Sequence, residues 1–406
     1  MHLMLSDNRL IFISFLGFGL LNNILYVVIL SAAVDLVGSQ TPKAVVLLSD
    51  ILPAFIIKLF APFFIHMIPY QTRIWSLVFL SSIGMLVISF SAETSISSKI
   101  FGICMASLSS GLGELTFLQL THYFTEVYSI GGFSMGTGLA GLGGSFIFLL
   151  LTNILGLSTS TTLLIFSIIP LGFIGLFYFV LPSSIPEHTQ YEELPTSSTS
   201  MPPKQVSEPA MLIVKNHITK TIGEIKPLFR PFMIPLCTVY ISEYVINQGI
   251  SPNLLFPLKD LPSWLFNSYR DIYVVYGFLY QLGVFISRSS INIGIRFKKL
   301  HVLSILQFVN VVILVNQSIL YFPFSSIWPL LILILYEGLL GGLAYVNTFL
   351  SVSEETPKSK REFSMGCVGM SDSLGIVIAG LINYWLEKRL CNIQVGNGRD
   401  WCLSEN

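Results

Sequence analysis

The sequence predicts an all-α polytopic membrane protein, and three observations predict it. Only 11% of the 406 residues are charged and 53% are hydrophobic, whereas a soluble domain carries about 25% charged residues. That is too little charge to coat a water-facing surface. The apolar residues fall into runs of roughly 20, the length that crosses a bilayer as a helix. Motifs in the first part of the chain recur in the second at nearly constant spacing, as expected of a bundle built from two related halves.

The first apolar run, 10–30, is long enough to span and has no small-residue cleavage site after it, so it reads as a retained helix and not a signal peptide. Runs at 44–64, 74–90, 100–120, 133–155 and 163–181 complete a six-helix half over 1–182. The stretch 183–228 is rich in Ser, Thr, Pro and Glu, as in Pro195-Thr196-Ser197-Ser198-Thr199-Ser200, and cannot bury enough apolar area to fold alone, so it reads as a linker. Its part 211–225 interleaves apolar residues with Lys215 and Lys220, with Lys226 next. It fits either a helix lying on an anionic membrane surface or a solvated loop. Runs at 229–250, 272–291, 302–322, 327–350 and 363–386 form a five-helix half over 229–387, followed by a polar tail, 388–406. About eleven transmembrane helices are therefore expected.

Lysine and arginine in the loops set the orientation. One side holds Arg9, Arg73, Arg230, Arg296, Lys298, Lys299, Lys358, Lys360, Arg361 and the linker's Lys204, Lys215, Lys220 and Lys226; the other, before the tail, holds Lys43, Lys99, Lys259 and Arg270. This places the N-terminus and central linker in the cytosol and, after an odd number of spans, the tail opposite. With 22 basic and 22 acidic residues there is no net charge to attract nucleic acid. Cys104, Cys237 and Cys367 lie in apolar runs and read as small hydrophobes. Cys391 and Cys402, in the tail, either pair in an oxidising compartment or remain free thiols.

The halves echo each other. Phe133-Ser134-Met135-Gly136 recurs 230 residues later as Phe363-Ser364-Met365-Gly366, and Lys58 has a basic counterpart at the same offset, Arg288. Asn23 matches Asn247, Glu114 matches Glu337 and Arg73 matches Arg296, at offsets of 223 or 224. Two parallel halves with the last helix missing or degenerate is a major-facilitator-like plan, in which the halves rock around a midplane site.

A charge at the membrane centre costs about 2.5 to 3.5 kcal/mol on insertion scales, so each is a candidate with a partner to be found. Lys58, Glu114, Glu243, Arg288, Glu337 and Asp372 all fall inside spans. They are the transport-pathway or charge-network candidates; the alternative is that they lock helices together or line a wet cavity. Asp35, Asp50, Arg270 and Asp271 lie near span ends and are assigned to the interface. Asn22 and Asn23 in the first span, with Asn247 and Gln248 in the seventh, either bind a solute or bond each other across the pseudo-twofold. His122, beside Tyr123, is assigned to an interface. The glycine tracts 136–144 and 338–342 lack the strand and lysine of a phosphate-binding loop and read as close helix packing or gating flexibility.

These residues resemble the battenin family of lysosomal and vacuolar membrane proteins over nearly the whole chain. The resemblance is carried by Asn22-Asn23 with Tyr26-Val27-Val28, Gly113-Glu114 with Thr116-Phe117-Leu118, Glu243-Tyr244 with Asn247-Gln248-Gly249, Tyr280-Gln281-Leu282-Gly283-Val284-Phe285 leading into Ser287-Arg288-Ser289, and Tyr336-Glu337-Gly338-Leu339-Leu340-Gly341-Gly342 leading into Ala344-Tyr345-Val346-Asn347-Thr348-Phe349. Leu139 departs from a glycine of the family's pattern. The chain carries neither the prenylation-type ending nor the long polar N-terminal extension of animal members, and its form is similar to the fungal ones. The resemblance implies a multi-pass protein of the vacuolar membrane acting in vacuolar transport and pH homeostasis. Basic amino acids such as arginine are linked to the fungal members and glycerophosphodiesters to the animal ones, and the family's residues fall at Glu243, Arg288, Glu337 and Asp372.

The functional expectation is a secondary transporter of a small polar solute, with the bilayer, the solute and protons as partners. The alternative is a non-transporting regulator of proton pumping or trafficking that binds a protein partner through the cytosolic linker. No catalytic, cofactor-binding or metal-ligating pattern is present, so an enzyme is not expected.

Overall fold

The computed structural model describes residues 2–32, 36, 43–92, 95–182, 210–266 and 268–403. In the first half the helices are α1 (His2–Ser31), α2 (Lys43–Phe64), α3 (Tyr70–Phe90), α4 (Ile96–Leu120), α5 (Glu126–Leu149) and α6 (Thr159–Val180, with a turn near its middle). Next come α7 (Ala210–Leu228), α8 (Ile234–Tyr244, continued by a wider turn, Val245–Ile250), α9 (Tyr269–Ser289), α10 (Leu300–Leu320), α11 (Ile327–Glu355), α12 (Lys358–Val368) and α13 (Met370–Gly396). Helices occupy all eleven expected positions because a segment in hydrocarbon must satisfy its own backbone polar groups. Among the described residues, nine helical stretches are long and apolar enough to span by those criteria alone. α8 and α9 do not reach that apolarity; α9 carries Asp271, Gln281 and Arg288 within its length.

Packing follows the repeat. α1 lies along α5 and α2 along α4; in the second half α8 lies along α13 and α9 along α11. The halves meet through α2 against α13 and α5 against α9, the same pairing generated twice by a pseudo-twofold. Water expulsion does not drive helix association within lipid, so close backbone approach has to. Glycines provide it. A Cβ on Gly136 would come 2.1 Å from the Leu16 carbonyl oxygen, and one on Gly338 would come 2.1 Å from that of Tyr280. Both glycine tracts therefore include close-packing positions, at α1/α5 and at α9/α11.

The linker's first part, 183–209, lies outside the described residues, as does Asp35. Its second part forms α7, which packs against α2 and α12; Lys360 on α12 reaches Glu224 at 3.6 Å. Asp271 takes a span-end role: its backbone N–H donates to Ser268 Oγ, and its carboxylate accepts from the Ser268 backbone N–H at 2.9 Å, a reciprocal cap on α9. The last helix continues through Gly396, and Cys391 and Cys402 form a disulfide. Arg399 then donates to the Ser318 and Ile319 carbonyls at the end of α10. Trp75, Trp264, Trp328 and Trp385 are exposed around the perimeter, 53–79% accessible, as expected of rings facing lipid or its interface.

Candidate functional site

Lys58 on α2 is 2% exposed, so its ammonium needs partners. It finds them on both halves. Nζ lies 2.6 Å from Glu114 Oε2 on α4, 3.1 Å from Asp372 Oδ1 and 2.9 Å from Ser373 Oγ on α13. Glu114 accepts a further bond from the Tyr345 hydroxyl at 2.9 Å. One cation thus faces two carboxylates, leaving the cluster formally negative if both acids are ionised.

Arg288, the counterpart of Lys58 in the repeat, is held differently. Its Nη1 donates to Thr137 Oγ1 at 2.5 Å, its Nη2 to the Tyr240 hydroxyl at 3.0 Å, and its guanidinium lies 4.2 Å from the centre of the Tyr345 ring. Nε is buried without a partner, and among the described residues Arg288 makes no ion pair. Hydroxyls and a π-face stabilise the charge without neutralising it.

Both cations line one cavity of about 90 Å³ between the halves. Its walls include Asn23, Tyr26, Asp50, Ser110, Glu114, Thr137, Tyr240, Tyr244, Tyr345, Asp372 and Ser373. The Tyr26 and Tyr244 hydroxyls lie 3.2 Å apart across it. Asp50 is a correction to the interface assignment: it is 3% exposed, with Oδ2 buried and unpartnered. Its spacing to Lys58 was the available signal. Residues 50, 54 and 58 recur every four positions, so they share one helix face with Ala54 as the small residue between.

The sequence candidates divide. Lys58, Glu114, Arg288, Asp372 and Asn23 line the cavity. Glu243 and Glu337 do not; they are buried behind it, hydrogen-bonded to the half-buried Tyr280 and Asn247. Asn22 donates to the Ser110 carbonyl at 3.1 Å and Asn23 to that of Gly19 at 3.1 Å, while Asn247 donates to Glu337 at 2.9 Å. A bond between these two helices is instead made by Tyr26, one turn after Asn23, and Tyr244, one turn before Asn247. Gln248 is half-buried and away from the cavity.

On the side where α11 joins α12 the halves are tied by side chains. Glu362 accepts from the Tyr70 hydroxyl at 2.7 Å and from Tyr123 at 3.0 Å, and Arg361 pairs with Glu126 at 2.5 Å. His122 lies edge-on to Tyr123 at this end, 5.1 Å between centroids.

A family profile described as CLN3 protein matches residues 13–393, a range that extends over both halves and includes every cavity residue. The chain belongs to the CLN3 (battenin) family. This CLN3-family chain is similar over its whole length to fungal proteins described as Protein BTN1. It is 62% identical to that of Debaryomyces hansenii, covering 100% of this chain and 99% of the relative. The identity is 57% to the Candida albicans protein, covering 98% of each chain, and 45% to that of Saccharomyces cerevisiae, covering 99% and 100%. Among solved structures, the human organic anion transporter MFSD10 superposes with a TM-score of 0.62, covering 98% of this chain and 96% of that one at 12% identity. At that identity the likeness concerns the fold alone, and it places the CLN3-family chain among major-facilitator-like bundles.

Proposed function

We propose that this CLN3-family chain is a secondary transporter of the vacuolar membrane that carries a small polar solute, with basic amino acids such as arginine as the solute class, and so contributes to vacuolar pH homeostasis. The observation that carries the reading is Arg288: a half-buried cation at the interface of two pseudo-symmetric halves, facing a cavity and, among the described residues, paired with no carboxylate. A solute carboxylate would complete it. On the other wall the unpartnered Asp50 Oδ2 would receive the solute's cationic end. Rocking about the α2/α13 and α5/α9 contacts would expose the cavity to either side. The contacts of Glu362 and Arg361 would break on the linker side as it opens.

The location rests on the family resemblance. The basic loops favour a cytosolic linker, and the Cys391–Cys402 disulfide suits a tail in an oxidising lumen. A phosphodiester as cargo is the second reading, favoured by the convergence of Arg288, Thr137 and Tyr240, a donor set that also suits a phosphate.

Vacuoles isolated from cells with and without the protein, profiled by mass spectrometry at matched luminal pH, separate these readings. A selective change in basic amino acids supports the first, and a rise in phosphodiesters supports the second. Unchanged contents would overturn transport and point to a regulator acting through the linker.

A further inference from the structure

Glu243 and Glu337 sit on neighbouring helices, α8 and α11, at 2% and 0% exposure. One oxygen of each is engaged. Tyr280 donates its hydroxyl to Glu243 Oε1; Asn247 Nδ2 lies 2.9 Å from both Glu337 Oε1 and the Glu243 backbone oxygen. The second oxygen of each, Oε2, is buried with no partner, and neither acid makes an ion pair among the described residues. The groups facing them are Tyr280 and Arg288 from α9 and Tyr240 and Tyr244 from α8. On α13, behind α8, Asp372 is occupied by Lys58, and the buried polar residues of α10, Gln307, Asn310, Gln317 and Ser318, carry no charge.

Two carboxylates this close in a low-dielectric interior, with one donor each and no paired cation, do not both ionise; a proton on one relieves the repulsion. Each free Oε2 is a place for that proton. We propose that Glu243 and Glu337 form an acid pair holding the exchangeable proton of the transport cycle, separate from the solute cavity and linked to it through Arg288. Consecutive glycines of α11 make the link. A Cβ on Gly341 would stand 2.7 Å from Glu243 Oε2 and one on Gly342 3.2 Å from Arg288 Cγ, so carboxylate and guanidinium stem lie flat against adjacent residues. When the proton leaves, the new anion draws Arg288 away from Thr137 and Tyr240 and changes its hold on the solute.

The idea rests on the transporter reading, so its test has two arms. Infrared difference spectra of the purified full-length protein should show a protonated-carboxyl band near neutral pH that shifts in D2O and is lost in both Glu243→Gln and Glu337→Gln. In proteoliposomes, both variants should lose pH-driven uptake of labelled arginine by about tenfold, the size of an ordinary coupling between two bound ligands. They should retain arginine exchange at equal pH. Persistence of the band in both variants, or unchanged pH-driven uptake, would overturn the proton site. Wild-type protein that exchanges no arginine would sink the arginine reading instead, leaving the infrared band to decide the acid pair. Glu243→Gln is the second variant should Glu337→Gln fail to fold.

Discussion

Lys58 and Arg288 occupy equivalent places in the two halves, yet one is neutralised and the other is not. Lys58 is locked to Glu114 of its own half and Asp372 of the other, whereas two further acids of the second half, Glu243 and Glu337, have withdrawn behind Arg288. The first arrangement is a structural bolt between α2, α4 and α13. The second leaves a cation free to meet cargo. A repeat can therefore preserve where a charge sits while changing what it does, and the difference lies in the position of the acids.

The comparison breaks most visibly at the bolt. Lys58→Met strands the buried Asp372 carboxylate and the half-buried Glu114 and should cost about 3 to 5 kcal/mol of stability, read as a large fall in melting temperature of the detergent-purified protein. Arg288→Met should cost clearly less in the same assay; equal losses would mean that both cations are bolts. Arg288→Lys sharpens the contrast, because it keeps the charge but loses the planar fork. With one charged hydrogen bond worth about 1.5 to 3 kcal/mol, half-saturation for solute should rise by about tenfold or more, with folded yield unchanged. The smallest effects separate packing glycines from idle ones. Gly136→Ala drives a methyl into the Leu16 carbonyl and should cost about 1 to 3 kcal/mol. Gly143→Ala meets nothing within 4 Å and should stay within about 0.5 kcal/mol, both read by thermal melts.

The bundle was legible because hydropathy is a direct consequence of the solvent: each of the eleven apolar runs is helical, including the weakly apolar 269–289. The repeat was legible too, down to Lys58 and Arg288 lining one cavity. What escaped the sequence was direction. A lipid-embedded helix is apolar all round, so little in its pattern says which face turns inward. Asp50 looked like an interfacial acid and lies inside, while Glu243 and Glu337 looked like pathway acids and lie behind it. Neither Tyr240 nor Tyr345 was a site candidate in a chain with 16 tyrosines until packing brought them against Arg288.

The placement of the aromatic rings determines what the protein's own light can report. Tyr26, Tyr240, Tyr244 and Tyr345 line the cavity, and none of the five tryptophans does. Four of them stand on the perimeter. Intrinsic tryptophan emission will therefore follow the surroundings, brightening or quenching with lipid composition, and will be a poor gauge of cavity occupancy. A tryptophan substituted for Ile51 or Ile376, the large apolar members of the cavity wall, would convert that background into an optical sensor of filling.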